Sequence, residues 1–255
     1  MRPDEARARL AALGFRSDDV DVLAQHFLTA EAHGRTGHGV SRIEWLESWD
    51  DLDPNPRPKR VVHEEAYERW DGGRALGYLT LNEIVEAQLA DPPAHARLVV
   101  GDRTFPTGML GYWTRRLADG GLVAVLTATS PRRLPHPAGG PPLTGTNPIS
   151  IAIPSSRGDP VVVDVSMGRV TYGDVLTGAA SPEELVPFGG EHSHKAFALA
   201  VGAQLLVDAL IAGGDFGAVL LVARPEGDPV PAFRELARGA RLPGDRSSEP
   251  QARGR

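Results

Sequence analysis

Leu122-Val123-Ala124-Val125-Leu126-Thr127 is apolar up to its last side chain and is entered from Gly120-Gly121. It is too short for a helix, and polar and apolar positions do not alternate along it. A strand of that pattern is expected to be covered on both faces. Leu98-Val99-Val100, Ile149-Ser150-Ile151-Ala152-Ile153, Val161-Val162-Val163-Asp164-Val165 and the run 218–223 have the same character, each bounded by Gly, Pro or Asp. Together they predict an α/β fold: a mixed buried sheet covered by helices. Residues 83–90 and 112–119 are the expected flanking helices. The run 195–212 carries Phe197, Leu199, Val201, Leu205, Leu206, Leu210 and Ile211, which leaves little polar face. It is expected to be a buried central helix.

Outward from that sheet, the first fifty residues are helical in pattern. Residues 5–13 form an amphipathic stretch ending at Gly14. Ser17 followed by Asp18 and Asp19 is a helix start with a capping hydroxyl and acids facing the dipole. Val20, Leu23, Phe27 and Ala30 then recur at helical spacing. A third helix is expected from about His38 to Trp49. The proline-containing stretch 50–58 closes this part, so the predicted organisation is an N-terminal helical region 1–58, an α/β domain 59–246 and a disordered tail 247–255.

Composition narrows the function classes. The 255 residues hold no cysteine, which removes disulfides, thiolate metal sites and a cysteine nucleophile. The start Met1-Arg2-Pro3-Asp4-Glu5 is charged and has no signal-peptide core, and no apolar run approaches the ~18 residues of a membrane span. A cytoplasmic protein without membrane contact is expected. A net charge of −6 argues against nonspecific nucleic-acid binding.

No G-x-G-x-x-G follows a strand and no Walker loop is present, so an ordinary Rossmann or P-loop reading fails. Asp164 ends a buried strand; such a carboxylate either caps the next turn or faces a ligand crevice. His38 and Arg42 are four apart, which on one helix gives them one face. They are either a solvated pair or a site in which Arg grips a carboxylate and His moves a proton. His192 and His194 have no evident third ligand, so no metal site is expected. Lys195 is one of two lysines in the chain and stands at a helix start. It either snorkels or serves an anion.

Taken in order, these stations resemble the non-Rossmann malate/L-lactate dehydrogenase family. Gly37-His38-Gly39-Val40-Ser41-Arg42 resembles its Ser-His-Gly-Val-x-Arg segment. Thr144-Gly145-Thr146-Asn147-Pro148 resembles its Gly-Thr-Asn-Pro turn, and Val163-Asp164-Val165-Ser166-Met167 its Asp-Met-Ser/Ala strand end. Pro187-Phe188-Gly189-Gly190 leading to Lys195 and Arg241-Leu242-Pro243-Gly244 complete the match. The resemblance implies a non-Rossmann dinucleotide-binding fold, NADH or NADPH as cofactor, and a homodimer. It implies reduction of a C=O or C=N bond next to a carboxylate in a small-molecule substrate. By the same resemblance His38 is the proton donor, Arg42 holds the substrate carboxylate with Thr146 nearby, and Asp164 orients the histidine. Ser130, Ser166, Lys195 and Asp245 fall where the family contacts the dinucleotide.

The departures are specific. Gly37 stands in place of serine, Pro106 in place of a second active-site histidine, and Ala196 in place of the glycine after the lysine. Between Gly173 and Pro187, and again after Phe216, the chain is shorter than the family pattern. They leave a second reading open, a noncatalytic member retained as a binding or assembly subunit.

Overall fold

The computed structural model describes residues 1–213 and 215–246; the tail expected at 247–255 lies outside the described residues. In chain order the elements are α1 (Pro3–Ala12), α2 (Ser17–Ala32), α3 (Ser41–Glu47), β1 (Lys59–His63), β2 (Tyr67–Asp71) and α4 (Gly77–Ala90). Then come β3 (Ala96–Asp102), α5 (Leu110–Asp119), β4 (Val123–Ala128), β5 (Leu134–Pro135), β6 (Pro142–Thr144), β7 (Ile149–Ile153) and β8 (Val161–Val165). The rest are α6 (Tyr172–Leu176), α7 (Ser193–Leu210), β9 (Gly217–Ala223) and α8 (Val230–Ala237).

Seven strands form one sheet in the order β1-β2-β3-β9-β4-β7-β8, parallel only between β2 and β3. The α/β class and the mixed sheet agree with the sequence reading. β1, β2, β5, β6, α6 and α8 have no counterpart in it. β2 escapes because Glu68 interrupts its apolar pattern, although the residue is fully buried and bound by Arg97, His63, Trp70 and Gln88.

Coverage of the two faces is unequal. Glu68, Val99, Leu220, Leu126, Ser150 and Asp164 form one cross-strand row. On that face the apolar side chains pack with α4, α5 and the N-terminal helices in a single core that joins Leu10, Phe27 and Ile43 to Trp113 and Leu126. The neighbouring row, Tyr67, Leu98, Leu221, Val125, Ile151 and Val163, points the other way. There Leu221 is 43% exposed in the middle of the sheet. α7 covers only part of this face, around β4 and β9.

α7 is therefore not the buried central helix that its composition predicts. It seats small residues on the sheet, with Ala196, Ala200 and Val207 buried, and turns Leu199, Leu205 and Leu206 outward at 56%, 61% and 49% exposure. Small side chains let helix and sheet approach closely, so the large ones are left on the outer face.

Two N-terminal expectations also change. Ser17 is the first helical residue, and Arg16 holds the cap position without a side-chain bond. The helix expected from His38 is divided into a 3-10 turn, Thr36–His38, and α3. The Glu31 carboxylate accepts the Val40 N–H at 3.1 Å and holds the chain in that break.

Candidate active site

A cavity of about 180 Å³ opens where the 3-10 turn, α3, the start of α5, the ends of β4 and β8, and α6 converge. His38, Arg42, Ser130, Thr146, Asp164 and Ser166 all line it. His38 and Arg42 reach it from different elements, not from one helix face.

Arg42 is buried. Its Nε donates to the Gly37 carbonyl at 2.7 Å, and its guanidinium carbon lies 5.0 Å from the Trp45 ring centroid. Those contacts fix the plane of the fork, and no carboxylate among the described residues comes within ion-pair distance of it. Gly37 explains part of this placement. A Cβ there would stand 2.7 Å from the Gly173 carbonyl carbon and 2.8 Å from the Asp174 nitrogen. A Cβ on Gly173 would in turn meet Arg42 Nη2 at 2.8 Å. The two glycines let α6 and the 3-10 turn touch backbone to backbone over the arginine.

His38 presents its ring to the cavity, while Nδ1 is shut from solvent without a partner. Its pKa is lowered to about 4, first by burial, then by the Arg42 charge. Asp174 opposes this and Arg35 adds to it. The imidazole is thus neutral at neutral pH.

Asp164 lies one residue before the end of β8, in the row that faces α5. Its Oδ2 accepts the Gly111 N–H at 2.7 Å, in the first turn of that helix. Burial raises its pKa to about 6, against the opposing effects of the Gly111 bond and Arg35. The orientation of His38 by Asp164 is not what the structure shows: the carboxylate bonds Gly111, and His38 Nδ1 is left unpaired.

The Gly-Thr-Asn-Pro turn is held by Asn147. Its amide donates to the Ala200 carbonyl at 3.1 Å and to Gln204 at 3.0 Å, and its Oδ1 accepts the Ser130 N–H at 3.3 Å. α7 thereby fixes Ser130 and Thr146 at the cavity wall. Ser166 Oγ accepts the Gly168 N–H at 3.2 Å. Lys195 and Asp245 are not among the lining residues. Lys195 is exposed at the start of α7. Asp245 pairs with Arg234 at 2.5 Å and accepts the Leu242 N–H at 2.8 Å, which closes the C-terminal turn. His192 and His194 are likewise exposed.

Sequence reasoning passed over Arg35, Tyr78, Arg133 and Tyr172, which also line the cavity. The visible signal was Arg132-Arg133 in a Pro/Gly-rich loop that offers no acid to either. It also passed over His26. That ring lies fully buried behind the wall formed by Tyr78 and Gly108 and accepts the Met109 N–H on Nε2 at 3.1 Å. Burial lowers its pKa to about 3. One other cluster among the described residues, His63, Glu68 and Asp91, has metal-like spacing. Arg60 at 3.4 Å and Arg97 at 3.3 Å already balance Glu68, which disfavours a cation there.

The sequence profile of the malate/L-lactate dehydrogenase family matches residues 4–185. The 2,3-diketo-L-gulonate reductase of Citrobacter koseri is 29% identical over 186 residues, covering 71% of this chain and 55% of its own length. The Escherichia coli enzyme of the same name is 29% identical over 187 residues, with the same coverage of each chain. This chain thus spans about half the length of the curated relatives it matches. Among solved structures, delta1-piperideine-2-carboxylate reductase from Pseudomonas syringae pvar. tomato superposes with a TM-score of 0.79 at 22% identity, covering 95% of this chain and 89% of that one. Malate dehydrogenase from Entamoeba histolytica gives a TM-score of 0.79 at 17% identity, with 96% and 85% covered. At those identities the structures speak for the fold. With the profile match covering more than half of its length, the chain belongs to the malate/L-lactate dehydrogenase family.

Proposed function

We propose that this protein is an NADH- or NADPH-dependent reductase of a C=O or C=N bond next to a carboxylate. The observation that carries the reading is an arginine fork without an acidic partner, Arg42, in one cavity with His38 and Asp164. The relatives named above act, by their names, on a keto acid and an imine acid, which supports the same class.

The cavity suits a nicotinamide ring. Phe105, Pro106, Met109, Leu110 and Pro148 give it apolar walls, and Ser130, Thr146 and Ser166 give it hydroxyls. When bound, the cofactor supplies hydride. The protein's part is orientation and proton supply. Arg42 grips the carboxylate in bidentate fashion, which holds the adjacent double bond at one angle to the ring. A carboxylate on Arg42 also offsets one charge that depresses His38, the cause second to burial, so the proton affinity of His38 rises as substrate binds, and its proton goes to the developing alkoxide or amine. Asp164, held at the α5 N-terminus, keeps a fixed carboxyl at the cavity wall.

Titration of NADH and NADPH by fluorescence, followed by assays with 2-oxo acids and a cyclic imine acid, tests the reading. We expect binding of at least one cofactor and turnover of at least one acid. No binding of either at millimolar concentration would favour the noncatalytic reading.

Pro106 directs a finer choice. It is buried at the cavity wall and offers no donor. A ketone needs its developing oxyanion stabilised as hydride arrives. An imine can be protonated beforehand, so it tolerates a single donor, and imine acids should be the better substrates. The comparison is kcat/KM for paired imine and keto acids in wild type and Pro106→His. A ketone preference in wild type, or an unchanged ratio in the folded variant, counts against imine reduction. A cytoplasmic homodimer completes the proposed picture.

A further inference from the structure

The cavity is electrostatically unbalanced. Its lining contains three guanidinium groups, Arg35, Arg42 and Arg133, against one carboxyl, Asp164. Outside the cavity the described arginines that are not exposed are paired with acids, among them Arg9 with Glu47, Arg57 with Asp19, Arg97 with Glu68 and Arg234 with Asp245. Among the described residues none of the three cavity arginines has an acid within ion-pair distance. One substrate carboxylate satisfies Arg42 and leaves two cations.

Of those two, Arg133 is built into place, whereas Arg35 is exposed. The Arg133 backbone N–H donates to the Thr144 carbonyl at 2.8 Å, and its neighbour Leu134 is fully buried and paired with Thr144 across β5 and β6. Its guanidinium carbon lies 3.5 Å from the centroid of the Tyr172 ring, a face-on stack. Tyr172 is held in turn, because Thr171 and Asp174 close a reciprocal capping box around the start of α6. The fork is therefore oriented before any ligand arrives, so little ordering cost is left for binding. Burial and repulsion from Arg42 both weaken its hold on a proton, consistent with a desolvated cation close to another.

We propose that Arg133, stacked on Tyr172, is a second anion-binding group of the site, so that the substrate is a 2-oxo or 2-imino acid carrying a further anionic group. This rests on the reductase reading above. The same chemistry could serve a phosphate of the dinucleotide, and the experiment separates the two sources.

Reduction of oxaloacetate is compared with 2-oxobutyrate, and of 2-oxoglutarate with 2-oxopentanoate, in wild type, Arg133→Gln and Arg133→Lys. NADH and NADPH dissociation constants are measured for each protein. We expect wild type to favour at least one diacid in kcat/KM, and Arg133→Gln to lower that diacid-to-monoacid ratio on the order of 10–100-fold, the effect of a lost charged hydrogen bond. Arg133→Lys should recover only part of it, since an ammonium has no planar fork. Turnover without a diacid preference in wild type overturns the inference and leaves the reductase reading intact. A ratio unchanged in Arg133→Gln with cofactor affinity weakened tenfold overturns it in favour of the dinucleotide phosphate. If no 2-oxo acid is turned over, calorimetry with malonate and succinate against butyrate decides. Tighter dianion binding that depends on Arg133 supports the anion site without the reductase reading; equal binding, or binding indifferent to Arg133→Gln, overturns it.

Discussion

His38 and Arg42 divide recognition from chemistry, and their variants should separate the two. Arg42→Lys should chiefly raise KM, because an ammonium cannot reproduce the fork fixed by Gly37 and Trp45. His38→Ala should chiefly lower kcat, by roughly 10²–10⁴-fold. The depressed pKa of His38, about 4, gives the pH dependence its sign. In the free protein the protonated donor vanishes above that value, so log kcat/KM for reduction should fall with a slope of −1 as pH rises. In the complex the carboxylate on Arg42 offsets part of the depression and burial keeps the rest, so kcat should begin to fall at a higher pH than kcat/KM. Steady-state profiles check this, and a flat kcat/KM from pH 5 to 8 would remove His38 as the donor. Gly37→Ser should not restore the family pattern. Its Cβ meets the Gly173 and Asp174 backbone, so the turn or α6 must move and Arg42 with it. We expect a raised KM and a lower melting temperature, read by kinetics and calorimetry. Gly37, His38, Arg42 and Asp164 were all visible in the sequence as motif residues. The opposition of Gly37 and Gly173 was not, since it joins positions 136 apart that no local pattern relates.

The first turn of α5 shows how an element prepares the site. Two of its otherwise unpaired N–H groups are bound by side chains from elsewhere: Met109 by His26 of α2, and Gly111 by Asp164 of β8. The helix was legible from the 112–119 pattern, but neither partner was. A lone histidine on an apolar helix face gives no sign that it accepts a backbone bond 83 residues away. The same blindness affected α7, whose apolar run predicts burial yet says nothing about which side meets the sheet. His26→Phe should destabilise the fold by about 1–3 kcal/mol at neutral pH, because the Met109 N–H loses its acceptor. The variant should also change the response to acid. A histidine depressed to about 3 contributes stability that is present above its unfolded pKa of 6.5 and is lost as pH falls through 3. Within that window the loss is about 1.4 kcal/mol per pH unit. Asp164, raised to about 6, has the opposite sign: its contribution is full below 3.8 and is lost as pH rises through 6. Urea midpoints from pH 4 to 7 should therefore show a shallower acid loss in His26→Phe than in wild type. Equal slopes would mean that His26 is not buried neutral.

At the scale of the whole molecule the unequal coverage of the sheet is the feature with consequences. One face is a closed core of N-terminal helices, α4 and α5. The other carries the row from Tyr67 to Val163, open beside α7. Contiguous apolar surface on a monomer marks an interaction site; in this row Leu221 is 43% exposed and its neighbours are half-buried. A row that runs straight across six strands suits a twofold contact, because sheet can pack on the same sheet of a second copy about 10 Å away. The proposed homodimer would use this face. Light scattering on the eluting protein should give twice the chain mass, and Leu221→Arg, at the centre of the row, should shift it to the monomer. Leu221 faces away from the core, so the variant should keep its circular dichroism and its cavity. Leu205→Arg, on the outer face of α7, serves as the comparison. A dimer broken by Leu205→Arg and untouched by Leu221→Arg would move the contact to the helix. A wild-type monomer at micromolar concentration would end the homodimer proposal.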